Sequence, residues 1–127
     1  MSKERNLAIA DALVSAVEAC DFAQVRSLFA PDIVVKYNVF ASELALDEAM
    51  AGMTRMRGMC TTFKYEDIER RVTDQGYVQM AAVTGVTDAG KPFRIDACVI
   101  ADIGDDGKIT AIKEYMDSVQ AQQFLEP

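Results

Sequence analysis

Residues 92–116 read PFRIDACVIADIGDDGKITAIKEYM, and this stretch decides the fold. Two strand-like segments, 92–103 and 108–116, flank the turn Gly104-Asp105-Asp106-Gly107. Four residues are too few for a crossover helix, so the two segments must pair as an antiparallel hairpin. The acidic turn lacks the other ligands of an EF-hand loop, so we interpret it as a turn and not as a calcium site.

The same pattern extends towards the N-terminus. Segments 61–71 and 77–87 are also strand-like, and their connectors at 74–76 and 88–91 are short and rich in Asp and Gly. The four segments therefore form an antiparallel meander. Strands of this length normally need twist and bulges, so we expect a strongly curved sheet.

The first half of the chain is mainly helical. Apolar residues recur every three or four positions over residues 2–19, a short second helix follows Asp21, and a third is expected over 47–57, with Asp47 as its cap and Gly58 as its stop. A short strand over 33–37 separates the last two helices. Three N-terminal helices before an antiparallel sheet predict an α+β fold, with the whole chain, 1–127, as a single domain.

Composition narrows the function classes. The formal net charge of −7 disfavours binding to nucleic acid or to anionic lipid. No apolar stretch is long enough to cross a bilayer, and the N-terminus lacks the apolar region of a signal peptide. We therefore expect a cytoplasmic protein that binds neither membrane nor nucleic acid.

Cysteine and histidine usage restricts the chemistry. Cys20, Cys60 and Cys98 are widely spaced, and the chain has no histidine, so neither a disulfide framework nor a metal site is expected. Any proton transfer must use carboxylate, tyrosine, lysine or cysteine groups, because the usual base is absent. We expect no metal and no cofactor.

Two motifs resemble the nuclear transport factor 2-like superfamily, which includes SnoaL-like polyketide cyclases, ketosteroid isomerase and limonene epoxide hydrolase. Residues 21–32, DFAQVRSLFAPD, are similar to the family's entry into its first strand. Residues 104–117, GDDGKITAIKEYMD, are similar to its "DG(K/R)I…EYxD" ending. The resemblance covers nearly the whole chain and implies a cone-shaped fold with an internal pocket between the helices and the curved sheet.

The known machinery of two relatives does not carry over. The catalytic positions of ketosteroid isomerase fall on Leu13, near Tyr37 and on Val99, so the protonated acid of its oxyanion hole has no counterpart. Of the aspartate, arginine, aspartate relay of limonene epoxide hydrolase, only the last carboxylate is matched, by Glu114. Ala82 and Thr84 stand about where the other two members would lie.

Glu114 is the sharpest candidate for catalysis. It shares a strand face with Ile112, so an inward Ile112 would carry the carboxylate into the pocket, where loss of hydration would raise its pKa towards neutrality. Tyr37 and Asn38 end the first strand and could orient a water or a substrate oxygen. The alternatives are that Glu114 pairs with Arg94 or Lys36 across the sheet and that Tyr37 is an ordinary core residue.

Residue alternation predicts the pocket wall. On the strand 92–103 one alternating set is wholly apolar and should face inward, which leaves Arg94 and Asp96 outside. The members of this set are Ile95, Ala97, Val99, Ala101 and Ile103. Asp117 has the opposite parity to Glu114 and suits a cap. The methionines at 50, 53 and 56 are either adaptable core or pocket wall. The predicted substrate-binding residues are Leu13, Val17, Met50, Met53, Met80, Ala82, Thr84, Ala97, Val99 and Ile112.

The function expected from this pattern is acid–base catalysis of isomerase, lyase or hydrolase type on a small, mostly apolar, oxygen-bearing molecule. A non-catalytic ligand-binding or dimerisation module of the same fold is the alternative, and a subunit that lends its sheet to another protein is a third. We also expect a homodimer or larger homo-oligomer, because an outward face with Cys98, Ile100, Val83 and Ala81 would leave an apolar patch exposed.

Overall fold

The structure is a computed structural model that describes residues 2–40 and 42–122. The elements follow in the order α1 (Lys3–Glu18), α2 (Phe22–Leu28), β1 (Phe29–Tyr37), β2 (Glu43–Leu44), α3 (Leu46–Gly58), β3 (Cys60–Val72), β4 (Gly76–Thr87), β5 (Pro92–Ile103), β6 (Ile109–Met116) and α4 (Ser118–Ala121). The α+β prediction with three N-terminal helices is confirmed. The short helix α4 follows the last strand directly, and residues 123–127 lie outside the described part.

Local hydrogen bonds explain where the middle helices begin. The Asp21 carboxylate accepts the backbone N–H three residues further on at 3.2 Å, as its sequence position predicts for a cap. The predicted cap of α3 is wrong, because the helix begins before Asp47. Glu48 instead accepts the N–H of Ala45 at 3.3 Å, and Asp47 forms an ion pair with Arg26 at 2.9 Å.

The six strands form one sheet in the order β2-β1-β6-β5-β4-β3. The meander from β3 to β6 is antiparallel as expected, and its turns include Gly90 and Gly107 at φ of 82° and 83°, where a side chain would be strained. The expectation of a wholly antiparallel sheet is wrong at one pairing, since β1 runs parallel to β6. The entire meander separates these two strands, so no short turn dictates their relative direction.

Irregular pairing in β3 accompanies the curvature of the sheet. The register between β3 and β4 shifts between Cys60 and Thr62 and again between Glu66 and Glu69, where Asp67 adopts a positive φ of 54°. Such bulges bend a strand and increase its twist. Helices α1, α2 and α3 lie on one side of the sheet, which we call the inner face, and the other side is the outer face. The largest fully buried side chains are Val25, Ile33, Val35, Tyr77 and Ile109.

Strand pairing fixes which residues share a face. On β5 the predicted apolar set faces inward, and Arg94, Asp96, Cys98 and Ile100 face outward. On β4, Ala81 and Val83 lie directly opposite Ala97 and Ile95, so they face inward as well. The predicted outward positions of Ala81 and Val83 are therefore wrong. None of the helices in the described part of the chain is both long enough and apolar enough to cross a membrane.

Arg57 joins α3 to α1 and β3. Its guanidinium donates to the carbonyl oxygens of Val17 at 3.2 Å, Glu18 at 2.9 Å and Cys60 at 3.2 Å, and it lies 5.4 Å from the ring centroid of Phe63. Two of these carbonyls belong to the last turn of α1, where backbone acceptors lack helical partners. One side chain thus closes the α1 terminus and anchors it beside the start of β3.

We expect Arg57→Met to lower the free energy of unfolding by roughly 2–4 kcal/mol, because it removes three charge-assisted hydrogen bonds to partly buried carbonyls. Arg55→Met is the matched control, since Arg55 is exposed on the same helix. Urea unfolding of both variants measures the difference. Equal effects of the two substitutions would show that the Arg57 contacts contribute nothing specific.

Candidate functional site

A row of five inner-face residues crosses the sheet in direct register. Arg70 on β3 is opposite Gln79 on β4, Gln79 is opposite Val99 on β5, Val99 is opposite Glu114 on β6, and Glu114 is opposite Tyr37 on β1. Residues paired in this way lie on the same side of a sheet. The pairing therefore brings a carboxylate, a phenol, an amide and a guanidinium to one side of five neighbouring strands.

A cavity of about 50 Å³ lies between this row and the helices. It is lined by Leu13, Val14, Val17, Val35, Tyr37, Met53, Tyr65, Tyr77, Gln79, Val99, Ile112 and Glu114. The volume is on the scale of a few water molecules and below the roughly 300–1,000 Å³ of ligand pockets. A larger ligand therefore requires side chains such as Met53 and Leu13 to change rotamer, and methionine is well suited to that adjustment.

The carboxyl of Glu114 is the acidic group of this cavity. Desolvation by the surrounding protein raises its pKa from the ordinary 4.5 to about 7. Within the described residues the carboxyl has neither an ion-pair partner nor a side-chain hydrogen bond. The predicted alternative of an ion pair with Arg94 is wrong, because Arg94 faces outward and binds Asp96 at 3.0 Å and Asp67 at 3.9 Å. Lys36, the other proposed partner, is exposed and pairs in register with Lys113.

Three phenols share the cavity with Glu114. Burial first, and then the charge of Glu114, raise the pKa of both Tyr37 and Tyr65. For Tyr77, burial raises the pKa to about 12 although the charge of Arg70 opposes the shift. All three hydroxyls are therefore protonated near neutral pH. None has a hydrogen-bond partner among residues 2–40 and 42–122, so each can donate to a bound molecule.

Most of the predicted wall residues on the helices, β5 and β6 line the cavity. These are Leu13, Val17, Met53, Val99 and Ile112. Met50 does not, because it packs into the core and is 6% exposed. Ala97 faces inward but lies one inward position beyond Val99, outside the cavity lining.

The predicted wall residues on β4 are on the wrong side of the sheet. Met80, Ala82 and Thr84 lie opposite Cys98, Asp96 and Arg94 on the outer face. Met80 and Ala82 border a separate outer groove of about 500 Å³, which Arg94, Asp96, Cys98 and Tyr115 also line. The inward residues of β4 are Tyr77, Gln79, Ala81 and Val83 instead.

Asn38 has a structural position. Its amide donates to the carbonyl oxygen of Met116 at 3.0 Å and accepts the Met116 N–H at 2.9 Å, so it joins the ends of β1 and β6 and does not line the cavity.

Two aspartates outside the cavity have structural partners. Asp117 caps α4 by accepting the N–H of Val119 at 2.7 Å, as its parity suggested. The pKa of Asp96 is lowered by hydrogen bonds from Gln120 and then Arg94.

Sequence reasoning missed Tyr65, Tyr77 and Gln79. Their alternation was a usable signal, because Tyr65 follows the buried Phe63 by two positions and Gln79 follows the buried Tyr77 by two. Over residues 2–40 and 42–122, no group of three or more Cys, Asp or Glu residues could hold a metal ion. The polar groups of the cavity are thus one carboxyl, three phenols and one amide.

The pKa of Glu114 leads to a prediction about stability. Because the folded protein holds the proton more tightly than the unfolded chain, the free energy of unfolding should fall as pH rises from about 4.5 to above 7. Glu114→Gln removes this loss. We expect the free energy of unfolding of the variant to exceed that of the wild type increasingly as pH rises, by on the order of 3 kcal/mol above pH 7.

Denaturant unfolding at several pH values measures this effect, and Glu43→Gln, which changes an exposed carboxylate on β2, is the matched control. The control should not reproduce the stabilisation expected of Glu114→Gln. A Glu114→Gln variant that loses stability relative to the wild type as pH rises would indicate an ion-paired carboxylate instead.

Solved structures share this architecture at low sequence identity. PrhC from Penicillium brasilianum NBRC 6234 superposes with a TM-score of 0.85 at 20% identity, over 97% of this chain and 87% of that one. BvnE pinacolase from Penicillium brevicompactum gives 0.82 at 13% identity, over 97% and 93%. An NTF2-like protein from Burkholderia xenovorans LB400 gives 0.79 at 19% identity, over 99% of each chain.

No curated protein matches the sequence closely. The profile of the SnoaL-like domain matches residues 10–112, which is most of the chain and runs from within α1 to within β6. The likeness to the solved structures supports the same cone-shaped fold. The chain therefore belongs to the SnoaL-like domain family, and it shares its fold with the NTF2-like protein.

Proposed function

We propose that this protein is a cofactor-independent enzyme that performs acid–base chemistry of isomerase, lyase or hydrolase type on a small, mostly apolar, oxygen-bearing molecule. The observation that carries the proposal is the Glu114 carboxyl, which lies in a cavity with three phenols and has its pKa raised to about 7. A general acid or base is most effective when its pKa is near the working pH. The SnoaL-like family and the pinacolase among its structural neighbours support a small-molecule enzyme.

Each polar group of the cavity has a role in the proposed reaction. Glu114 takes a proton from the substrate or from a water in its carboxylate form and returns it from its carboxylic acid form. Tyr37, its register partner on β1, stays protonated and donates a hydrogen bond to a substrate oxygen beside it. Val99 and Ile112 contact the apolar body of the substrate, and Met53 and Leu13 cover it.

Glu114→Gln should abolish proton transfer and keep the shape of the cavity. NMR of a panel of small apolar ketones and epoxides in D₂O detects hydrogen exchange, isomerisation and hydration, and it requires no known substrate. We expect the wild type to accelerate one of these reactions and Glu114→Gln to slow it by roughly 10²-fold or more, the usual contribution of general acid–base catalysis. Tyr37→Phe should slow it less, because the base remains.

Glu43→Gln is again the control and should react like the wild type. Full activity in Glu114→Gln would contradict the assignment of the base. A wild type that binds the panel compounds but transforms none of them would favour the alternative, a ligand-binding module of the same fold.

The outer face supports the expected homodimer. Met80 is 42%, Ile100 38% and Tyr115 50% exposed there, and Cys98 lies opposite both Met80 and Tyr115. Contiguous apolar surface of this kind is typical of a contact between protein chains. A second copy of this chain is the occupant that we propose.

Sedimentation equilibrium at micromolar concentration should give a mass of about twice 13.9 kDa. Ile100→Lys should lower that mass towards the monomer, because it places a charge in the contact, whereas the exposed Glu43→Lys should not. A wild-type mass near 13.9 kDa would exclude the dimer.

A further inference from the structure

Tyr77 and Gln79 bring two hydrogen-bond donors to one end of the cavity. They are two positions apart on β4, so both side chains face inward, and both line the cavity. The Oε1 of Gln79 accepts a hydrogen bond from Arg70 Nε at 2.8 Å, and because a guanidinium can only donate, the NH₂ group of the amide must face away from Arg70. Neither this NH₂ group nor the Tyr77 hydroxyl has a partner in the described part of the chain.

Arg70 places a positive charge behind these donors. Its side chain is 13% exposed, and its Nη1 binds the carboxylate of Asp11, which is itself largely exposed, so that solvent screens the compensating charge. Nη2 stands between Nε and Nη1 in the fork of the guanidinium and is buried, with no hydrogen-bond partner among the described residues. The charge of Arg70 opposes the effect of burial on the pKa of Tyr77, so it acts at the cavity wall.

Acidic groups are absent from this end of the cavity. Among the cavity-lining residues that the structure describes, Glu114 is the one acid, and it lies beyond Val99. Gln79 and Glu114 pair with Val99 from opposite sides, so their backbones are two strand spacings, or about 10 Å, apart. The cavity is therefore polarised, with two donors and a positive charge at one end and a carboxyl that is neutral below pH 7 at the other.

This arrangement suits a carboxylate better than a neutral oxygen. A buried carboxylate needs several donors and an opposite charge to offset the loss of its hydration, and this end of the cavity supplies both. Its two oxygens match the two donors, and hydrogen bonds to an ionised acceptor are roughly twice as strong as those to a neutral one. A ketone, ether or alcohol has a single oxygen and gains little from the charge of Arg70.

We propose that Tyr77, Gln79 and Arg70 form a binding site for the carboxylate group of a small apolar carboxylic acid. Gln79 Nε2 and the Tyr77 hydroxyl each donate to one carboxylate oxygen, while Arg70 orients the amide and supplies the charge. The apolar chain of the ligand lies along Val99 and points towards Glu114. The assignment of this ligand as the substrate rests on the proposed function, since an anchored carboxylate would hold the remote, reacting part of the molecule beside Glu114.

The first test compares two ligands that share a carbon skeleton and differ in charge, isovalerate and isovaleramide. NMR titration at pH 6 gives both dissociation constants. We expect the wild type, and Met53→Ala with its enlarged cavity, to bind the carboxylate more tightly than the amide by roughly tenfold or more. Gln79→Glu keeps an acceptor for Arg70 but replaces the donor by a negative charge, so this preference should be lost or reversed.

Three further variants separate the donor, the charge and the fold. Tyr77→Phe removes one donor and keeps the ring, so it should reduce the preference for isovalerate by roughly tenfold. Arg70→Met should lose the preference, and Arg70→Lys should recover part of it, because lysine keeps the charge without the fork. Arg71→Met is the matched control and should bind like the wild type, since Arg71 is exposed and its Nη1 contacts the Arg70 carbonyl at 2.9 Å.

The pH dependence of binding reports on the distance between the bound carboxylate and Glu114. The other titratable groups of the cavity are the phenols of Tyr37, Tyr65 and Tyr77, which stay protonated up to pH 9, and the lining residues of α1 and α3 carry no charge. The affinity of the wild type for isovalerate should fall by roughly tenfold from pH 6 to pH 9, because two negative charges about 10 Å apart repel in the protein interior. Glu114→Gln should remove most of this fall.

The outcomes separate this inference from the proposed function. Equal affinity for the two ligands in both the wild type and Met53→Ala, no binding of isovalerate by either, or an unchanged preference in Gln79→Glu would overturn the carboxylate site. Full activity of Glu114→Gln in hydrogen exchange or hydration would instead contradict the proposed function, and the preference for the carboxylate would still stand.

Discussion

The register of the inner-face row is the constraint on which the site depends. Side chains alternate along a strand, so a slip of one residue would exchange the two faces of that strand. The pairing of Val99 with Glu114 places a carboxyl in the cavity, and the same pairing places its neighbours Lys113 and Tyr115 outside. The parallel pairing of Tyr37 with Glu114 then adds a phenol from a distant part of the sequence. The strand register thus determines which polar side chains face the cavity.

Burial without a counter-charge determines the behaviour of Glu114. A nearby cation would favour the carboxylate and lower the pKa, whereas desolvation alone raises it. Arg94 forms ion pairs with Asp96 and Asp67 on the outer face. Arg70 lies three strands away from Glu114, on β3, and binds Asp11 and Gln79. These two positive charges are therefore kept away from Glu114, and its buried carboxylate lowers the stability of the fold above neutral pH.

The fold could be predicted from the sequence more completely than the residues of the site could. Helical periodicity, short turns and the contrast between charged and apolar residues on β5 were sufficient for the class and the meander. On β4 that contrast is absent, because both alternating sets are mostly small and apolar, and the face of Met80, Ala82 and Thr84 was assigned wrongly. The sequence pattern does not indicate the bulge in β3 either. Simple alternation from Tyr65 would place Arg71 inside, and only the register shift between Glu66 and Glu69 turns Arg70 towards Gln79.

This bulge links the shape of the sheet to its chemistry. The irregularity that bends β3 is the same one that changes its parity, so the residues before it bring Phe63 and Tyr65 to the inner face and the residues after it bring Arg70 and Val72 there. A regular strand would place an acidic residue, Asp67 or Glu69, on the inner face and leave Gln79 without its donor. The second carboxylate would raise the pKa of Glu114 further by repulsion. The bulge therefore allows the cavity to contain a single acid at one end and an oriented amide at the other.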